Sequence, residues 1–429
     1  MTKIHPTYDV AVIGGGPAGM MAAGRAAELG ARVVLVEGSR RPGTKLLMTG
    51  NGRCNLTNTG HDTRGLVAMF GAGGKFLLSA FTAFGVEATI AFFEARGVRT
   101  KTEPGGRVFP VSDRAADVLA SLTRYMSQGG VTVMAGARVT GLDADGGRIT
   151  RARLSDGGTV EANNFIVCTG GRSFPRTGSD GAGHGWLSAL GHTVTALTPA
   201  LAPLKVSEPW VRELEGASLS GAGLTLSLDG KKALRCTGEV VFTRNGISGP
   251  AALNISGTVG GLAGRGPASL AIDLMPDTDV AALDAKLQAL FREKQNRTAI
   301  NCVTGLLTPK LAPVFLKLSG IDADEQVNRI SRARRLALVR LLKGLPLTVT
   351  GVGGFDRAMV TRGGVSLKEV DGKTMRSKLV ENLYLAGEVL DLDGPSGGYN
   401  LQMCWSTGYV AGCGAGRQRS SAGPGRHPP

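Results

Sequence analysis

The sequence predicts an α/β fold in which one domain is divided into two segments by an insertion. Residues 1–194 alternate short apolar runs with helical patterns, residues 195–345 follow a different pattern, and a strand-and-glycine pattern returns from Leu347. We therefore place the second segment of the divided domain at residues 346–413. Residues 414–429 are mostly Gly, Ser, Pro and Arg, a composition that predicts a disordered tail.

The composition excludes several classes of protein. With 429 residues, of which 42% are hydrophobic, the chain can bury more than one core, so wholesale disorder is excluded. The 65 glycines show no G-X-Y period, which excludes a collagen-like chain and places them in turns and close backbone contacts. The net charge of +15 favours anionic partners without choosing among phosphates, nucleic acid and membrane headgroups.

The cysteines and the apolar runs argue against metal, disulfide and membrane proteins. None of the six cysteines forms a CxxC pair and only five histidines accompany them, so neither a structural zinc site nor a disulfide framework is expected. No apolar run reaches the eighteen or so residues of a membrane span, and glycines and Pro17 interrupt the N-terminal one. We therefore expect a cytoplasmic protein.

The first thirty residues after Tyr8 predict a complete βαβ unit. A strand at Tyr8–Ile13 leads to a helix at Ala18–Leu29 and a second strand at Arg32–Val36. The first turn is a G-x-G-x-x-G motif, Gly14-Gly15-Gly16-Pro17-Ala18-Gly19. In such a motif the first glycine makes the turn, the second admits a pyrophosphate and the third allows close helix packing. The motif predicts a dinucleotide site.

Glu37 narrows the choice of dinucleotide. It ends the second strand eighteen residues after Gly19, where a carboxylate accepts hydrogen bonds from the adenosine ribose. A carboxylate there would repel a 2′-phosphate, so FAD or NAD is favoured over NADP.

Further elements follow from local periodicity. A helix is predicted at Asp113–Gln128 with Ser112 or Asp113 as its N-cap. Strands are predicted at 131–134, 137–142, 148–154 and 164–168, then in the insertion at 223–228, 233–237 and 239–243. Amphipathic helices are expected around 280–291 and 327–342, a buried strand at 382–386 and a helix at 398–412.

Residues 44–58 form a polar, glycine-rich stretch that favours a flavin. Lys45 and Arg53 could neutralise a pyrophosphate, and Asn51 and Asn55 could bond a polar ring edge. The alternative is a solvated loop whose Asn and Gly residues only make turns.

A second loop-to-helix segment lies near the end of the chain. Strand residues lead into Gly387 and Glu388, and Asp391 and Asp393 precede the helix that begins near Gly398. A strand-Gly-acid turn of this kind is typical of FAD proteins, where helix amides then face the pyrimidine edge of the flavin and stabilise its reduced form. Either aspartate could instead cap the loop.

Six ordered motifs resemble those of one family, the YhiN-like and BaiN-like flavoproteins, also called the aminoacetone oxidase family. They are the glycine motif, residues 45–58, 106–113 and 169–181, residues 238–243 with 246–250, and residues 386–412. The resemblance implies a Rossmann-like FAD domain in two segments, with an insert that has a β-barrel-like part and a helical part. Asn51 and His184 depart from the family pattern, so neither is carried over as a ligand.

The cofactor-binding residues predicted from these motifs and from the resemblance form one set, and no catalytic residue or metal site is assigned. The set is Gly14, Gly16, Pro17, Ala18, Gly19, Glu37, Lys45, Gly52, Arg53, Cys54, Asn55, Val139, Thr169, Gly170, Gly387, Glu388, Asp393, Gly398, Tyr399, Asn400 and Leu401. Cys54 and Trp405 are interpreted as packed side chains rather than as redox or substrate groups.

The leading hypothesis is an FAD-dependent oxidoreductase that moves a hydride between a small organic substrate and flavin N5. A single dinucleotide motif leaves NAD(P)H as a transient co-substrate, and oxygen, as in an amine oxidase, is the rival acceptor. The net charge and a basic run at 329–343 motivate an alternative, a flavin-dependent RNA-modifying enzyme, although such runs usually form a solvated helix face. A flavin-binding sensor without turnover is a third possibility.

Overall fold

The computed structural model describes residues 8–260 and 268–417. The chain forms two compact units, one built from Met1–Thr198 with Met359–Pro429 and the other from Pro199–Ala358.

The elements are numbered in chain order. The strands are β1 Tyr8–Ile13, β2 Val33–Glu37, β3 Thr57–Asn58, β4 Thr100–Glu103, β5 Arg107–Pro110, β6 Thr132–Ala135, β7 Val139–Asp145, β8 Arg148–Leu154, β9 Thr159–Val160, β10 Ala162–Val167, β11 Thr198–Ala200, β12 Leu204–Val206, β13 Ser218–Leu228, β14 Lys231–Thr243, β15 Gly246–Ser248, β16 Ala268–Asp273, β17 Leu345–Val352, β18 Val360–Arg362 and β19 Leu383–Leu385. The α-helices are α1 Pro17–Glu28, α2 Thr63–Ala68, α3 Leu78–Ala83, α4 Val86–Glu94, α5 Ala115–Gln128, α6 Ala182–Ala189, α7 Pro250–Gly260, α8 Val280–Glu293, α9 Ala299–Val303, α10 Leu311–Leu318, α11 Arg332–Lys343 and α12 Tyr399–Arg417. Short 3-10 helices lie at Leu46–Gly52, Gly71–Leu77, Pro175–Thr177, Pro209–Leu214, Val327–Arg329 and Leu367–Glu369.

The first unit is built on a five-stranded parallel sheet with strand order β19-β10-β1-β2-β6. Val10 is paired with Val33 on one side and with Asn164 on the other. Residues Val10–Ile13 are buried on both faces, as expected for a parallel strand covered by helices. Because β19 joins β10 at Phe165 and Leu383, the two distant segments complete one sheet. The predicted Rossmann-like fold is confirmed.

Small residues let α1 and α12 pack closely in this unit. A Cβ added at Gly408 would lie 2.3 Å from the Ala18 carbonyl oxygen, and one at Gly412 would lie 2.5 Å from that of Ala22. The four-residue spacing places these glycines on one face of α12. The helix that follows the glycine motif is therefore held against the last helix of the chain.

The second unit contains a closed six-stranded barrel, in the order β12-β15-β14-β13-β16-β17, together with helices. The strands pair in antiparallel fashion, with Leu224 opposite Cys236 on one side and Ile272 on the other. Leu224, Ile272 and the helix residue Leu283 are fully buried in one apolar core. The barrel-like and helical parts expected of the insertion are both present.

Strand β17 corrects the predicted return to the first domain at residue 346. It pairs with β16 and β12 and closes the barrel, so the second unit extends to Ala358. A short apolar strand has the same pattern in a barrel as in a parallel sheet, so periodicity alone could not assign it. The predicted tail also begins too early, because α12 continues to Arg417; residues 418–429 lie outside the described residues.

Two predicted helix starts are also wrong. The amphipathic helix expected at 327–342 is divided into a 3-10 turn and α11, because Ser331 caps α11 by accepting a hydrogen bond from the Arg334 amide. Helix α5 begins after Arg114, without a side-chain cap. Asp113 instead has a left-handed backbone, with φ of 54°, and binds Arg53 and Lys101.

Within the described ranges, no single helix is long and apolar enough to cross a bilayer. Residues Gly71–Ala83 and Val86–Glu94 pass that test only when counted together, and they are bent by 43° where they meet.

Candidate functional site

The parallel sheet brings four predicted segments to one edge. The carboxyl ends of β1, β2, β10 and β19 are neighbours, and the chain leaves them at Gly14, Glu37, Thr169 and Gly387. In open α/β sheets, ligands bind outside this edge. The topology thus assembles residues that are up to 373 positions apart in sequence.

The turn between β1 and α1 has the geometry of a pyrophosphate cradle. Gly14 has a φ of +102°, a conformation that side chains rarely adopt, and its amide donates to the Val36 carbonyl oxygen at 2.8 Å. A Cβ at Gly19 would lie 1.8 Å from the Gly14 carbonyl oxygen, whereas one at Gly16 would meet no atom within 4 Å. The backbone is therefore tightly packed at Gly19 and open at Gly16, next to the first amides of α1.

Glu37 joins this turn to the end of β2. Its Oε2 accepts a hydrogen bond from the Gly15 amide at 2.7 Å, and its Oε1 accepts one from the Ser39 amide at 2.6 Å. The side chain is half-buried, and Gly178 lies close to Oε1, because a Cβ there would be 3.7 Å away. The carboxylate thus orders the glycine turn, in addition to its predicted role at the ribose.

We expect Glu37→Gln to weaken FAD binding by roughly 1.5–3 kcal/mol, the range for hydrogen bonds to charged groups. The amide replaces one acceptor oxygen with a donor, which would face either the Gly15 or the Ser39 amide. FAD titration followed by fluorescence quenching measures the change. Glu161→Gln, at an exposed carboxylate of the same unit, is the control. Unchanged affinity in Glu37→Gln would rule out the assigned role.

The predicted flavin loop is more ordered than a solvated turn. It begins as a 3-10 helix at Leu46–Gly52, and the non-glycine residues Asn51 and Cys54 both have left-handed backbones, with φ of 56° and 64°. Such conformations in non-glycine residues are uncommon and persist only where the surroundings fix them. The Cys54 amide donates to the Thr49 carbonyl oxygen at 2.9 Å, which closes the turn.

The guanidinium of Arg53 has carboxylate partners in the structure. It donates to Asp113 at 2.7 Å, pairs with Glu103, and lies 4.0 Å from the centroid of the Phe109 ring. Lys101 also binds Asp113. These contacts attach the loop to the sheet formed by β3, β5 and β4. A pyrophosphate would therefore have to compete with these two carboxylates for the Arg53 guanidinium.

Lys45 and Glu388 form a partly buried pair that joins the two segments of the first unit. The Lys45 Nζ lies 2.9 Å from Glu388 Oε2 and 2.6 Å from Ser173 Oγ. Glu388 Oε1 accepts hydrogen bonds from Ser173 Oγ and the Thr361 amide, each at 2.8 Å. The side chains of Lys45 and Glu388 are 23% and 13% exposed, so neither charge is well solvated alone.

Sequence reasoning missed Ser173 and Thr361 in this network. Thr361 Oγ1 also accepts hydrogen bonds from the Arg172 and Ser173 amides, and these residues lie nearly 190 positions away from it. No local motif marks a threonine on a short strand, so the sequence carries no signal for this contact.

The N-terminus of α12 faces the flavin loop through glycines. Gly397 and Gly398 have φ of +121° and +103°, and a Cβ at Gly398 would lie 2.4 Å from the Thr57 carbonyl oxygen and 3.0 Å from Asn55 Oδ1. The Asn400 side chain accepts from the Gly394 amide and donates to its carbonyl, each at 2.9 Å. Asp393 pairs with Arg362 at 3.0 Å rather than capping the helix. The last loop is thereby fixed over Asn55.

Three buried polar atoms at this edge have no hydrogen-bond partner within residues 8–260 and 268–417. They are Asn55 Oδ1, Thr169 Oγ1 and Ser179 Oγ. Such atoms cost free energy unless a ligand or water satisfies them. With the open space at Gly16, they show that the residues present fit a bound dinucleotide with polar groups along its length. Val139 is a buried residue at the start of β7, and Leu401 is half-buried in the first turn of α12.

Cys54 and Trp405 both behave as packing residues. Burial raises the pKa of the Cys54 thiol to about 12, so the thiolate needed for redox chemistry is not formed near neutral pH. The Trp405 ring is fully buried and its Nε1 donates to the Leu56 carbonyl oxygen at 3.0 Å. All six cysteines of the chain are free thiols.

Two buried histidines make stability depend on pH. Desolvation lowers the pKa of His184 and of His192, and each Nδ1 lacks a partner within the described ranges. Because the pKa of each histidine is lower in the folded protein, the unfolded chain binds protons more readily. The stability that the two neutral histidines contribute is therefore fully present above about pH 6.5 and is lost as the pH falls through their folded-state pKa values.

We expect the free energy of unfolding, measured with urea, to fall between pH 7.5 and pH 5. The His192 Nε2 lies 2.9 Å from Ser377 Oγ, and a glutamine amide can form a hydrogen bond to that hydroxyl without titrating, so His192→Gln should flatten the fall. The exposed His61→Gln is the control. An identical pH dependence in wild type and His192→Gln would contradict the assignment.

Comparison with known proteins agrees with the fold. A family model described as the HI0933-like protein Rossmann domain matches residues 8–414. The 3-dehydro-bile acid delta(4,6)-reductase of Clostridium scindens is 34% identical over 94% of this chain and 98% of its own length. The ribosomal RNA dihydrouridine synthase of Escherichia coli is 28% identical over 94% of this chain and 96% of its own. The solved 3-ketosteroid delta1-dehydrogenase of Sterolibacterium denitrificans has a TM-score of 0.56 at 13% identity, covers 96% of this chain and all of that one, and shares the fold.

The fold and the site define an FAD-dependent oxidoreductase. The chain belongs to the HI0933-like family, as the family model spans both segments of the first unit and the insertion between them. The resemblance to YhiN-like and BaiN-like flavoproteins deduced from the motifs is thereby confirmed.

Proposed function

We propose that the first unit holds FAD non-covalently along the carboxyl edge of its sheet. The Gly14–Gly19 turn and the first amides of α1 would bind the pyrophosphate, Glu37 the adenosine ribose, and Gly387 with Glu388 the ribityl region. Residues 50–55 and the N-terminus of α12 would contact the flavin ring. When bound, the flavin supplies hydride transfer, while the chain binds and orients the reactants.

We infer that the reaction is the reduction of a carbon–carbon double bond conjugated with a carbonyl group. The observation that carries this inference is what the names of two relatives have in common. A 3-dehydro-bile acid with delta(4,6) double bonds is a conjugated ketone, and conversion of uridine to dihydrouridine saturates a double bond conjugated with a ring carbonyl. A small conjugated ketone is therefore the first substrate class to test.

The test is anaerobic and follows the flavin spectrum. The oxidised holoprotein is mixed in turn with NADH, NADPH, dithionite and an amine panel. The reduced protein is then exposed to 2-cyclohexenone, a steroid 4,6-dien-3-one or oxygen. We expect reoxidation by a conjugated ketone with formation of the saturated ketone, and no reduction of the oxidised protein by amines. Rapid reoxidation by oxygen alone, with conjugated ketones left unchanged, would exclude the proposal.

A uridine in ribosomal RNA is the second candidate, favoured by the net charge of +15 and by the relative of that name. The basic run at 329–343 supports it less than the sequence suggested. Arg334 pairs with Glu325, Arg335 with Asp284 and Lys343 with Asp273, so half of its six cations are neutralised within the second unit. Dihydrouridine formed in ribosomal RNA by the reduced protein, with no turnover of conjugated ketones, would favour this candidate.

A further inference from the structure

A cavity lies in the first unit, and none of its lining residues belongs to the carboxyl edge of the sheet. Its volume is about 720 Å³, within the usual range for small-molecule sites. It is bounded by the turn between β7 and β8 at Gly146 and Gly147, by part of the segment 371–381, by Tyr384 of β19 and by Gly414 of α12. None of the predicted cofactor-binding residues lines it.

Tyr384 provides a buried polar group at this cavity. The residue as a whole is 2% exposed, and it lines the cavity. Its ring packs on Gly414, where an added Cβ would lie 2.7 Å from Cε1. A tyrosine hydroxyl at a cavity can donate a hydrogen bond to an anion bound there.

Arg376 brings a cation to the same place. It forms an antiparallel bridge with Tyr384, and residues directly opposite each other in such a bridge direct their side chains to the same face. The Arg376 guanidinium is half-buried and has no ion pair among residues 8–260 and 268–417.

The other charged groups of the lining already have partners. Glu381 pairs with Arg148 at 2.5 Å, the Lys378 ammonium donates to the Lys368 carbonyl oxygen at 2.8 Å, and Asp371 accepts from the Lys373 amide at 2.7 Å. A guanidinium that makes no ion pair in the described ranges and a neighbouring phenol together offer hydrogen-bond donors suited to a carboxylate or a phosphate.

The cavity also has an apolar side. Leu379 lines it and is 46% exposed, which is unusual for a large aliphatic side chain next to a concave surface. We propose that this cavity binds a small organic anion, with its carboxylate or phosphate on Arg376 and the Tyr384 hydroxyl and its apolar body against Leu379. The site is distinct from the flavin edge and does not depend on the reaction proposed above.

Isothermal titration calorimetry of the full-length FAD-loaded protein tests the proposal with three ligands that share a naphthalene ring. 2-Naphthoate and 2-naphthyl phosphate carry the two candidate anionic groups, and 2-naphthalenemethanol is the neutral match. We expect at least one anion to bind with a Kd below about 1 mM and the alcohol to bind about tenfold more weakly or not at all. Which anion binds more tightly identifies the natural head group.

Variants locate the binding. Arg376→Gln should weaken anion binding about tenfold or more, and Tyr384→Phe, which removes only the hydroxyl, should weaken it by about threefold to tenfold. Lys373→Ala, an exposed cation on the same segment, should leave the Kd unchanged. If Arg376→Gln fails to fold, Tyr384→Phe alone decides. Absence of binding by both anions, equal binding of the alcohol, or an affinity unaffected by both variants would overturn the proposal.

Discussion

Gly19→Ala is expected to abolish FAD binding and to lower the free energy of unfolding of the apoprotein by roughly 1–3 kcal/mol, the usual cost of overpacking. The new Cβ would lie 1.8 Å from the Gly14 carbonyl oxygen and 3.3 Å from the Cys168 Cβ. Because α1 is also held against α12 through small residues, it cannot move away without losing that contact. The turn and the first amides of the helix must therefore shift.

Two measurements separate the parts of this effect. Urea unfolding of the apoprotein measures the loss of stability caused by the steric clash. FAD titration measures the loss of cofactor affinity caused by the shift of the glycine turn. Gly185→Ala is the matched control, because a Cβ there meets no atom within 4 Å and alanine is the better helix former. A Gly19→Ala protein that bound FAD with wild-type affinity would show that the turn does not hold the pyrophosphate.

Much of the first unit could be predicted because its signals are local. The βαβ unit shows its strands, its glycine turn and its acidic residue within thirty positions, and the structure places Glu37 against Gly15. The last loop and helix were recognised for the same reason, although α12 extends five residues beyond the predicted Gly412. Each signal reflects a backbone requirement that few other residues satisfy.

Contacts between distant segments could not be predicted in the same way. Arg53 finds Glu103 and Asp113 some 50 to 60 positions away, and an isolated sequence does not show which carboxylate a guanidinium meets. The assignment of β17 failed for a related reason, since strand pairing rather than periodicity places it in the barrel. Local propensity specifies elements, whereas partners are chosen by the packed fold.

The ion pair between Lys45 and Glu388 should contribute more to the free energy of unfolding than a typical ion pair on a protein surface. The residues are 343 positions apart, and their contact joins the flavin loop to the turn after β19. Both side chains are mostly buried, so removal of one partner leaves a poorly solvated charge. We expect Glu388→Gln and Lys45→Met each to reduce the free energy of unfolding by roughly 2–3 kcal/mol.

A double-mutant cycle tests this pair directly. The Lys45→Met/Glu388→Gln double variant should be less destabilised than the sum of the single variants by at least about 1 kcal/mol, because neither unpaired charge remains. The exposed pair Arg148 and Glu381, with side chains 44% and 59% exposed, provides the control and should couple by less than about 1 kcal/mol. FAD affinity should fall in both single variants, since Glu388 would no longer be held beside Ser173 and Thr361. Additive losses in the cycle would mean that the two charges act independently and that the segments are joined by other contacts.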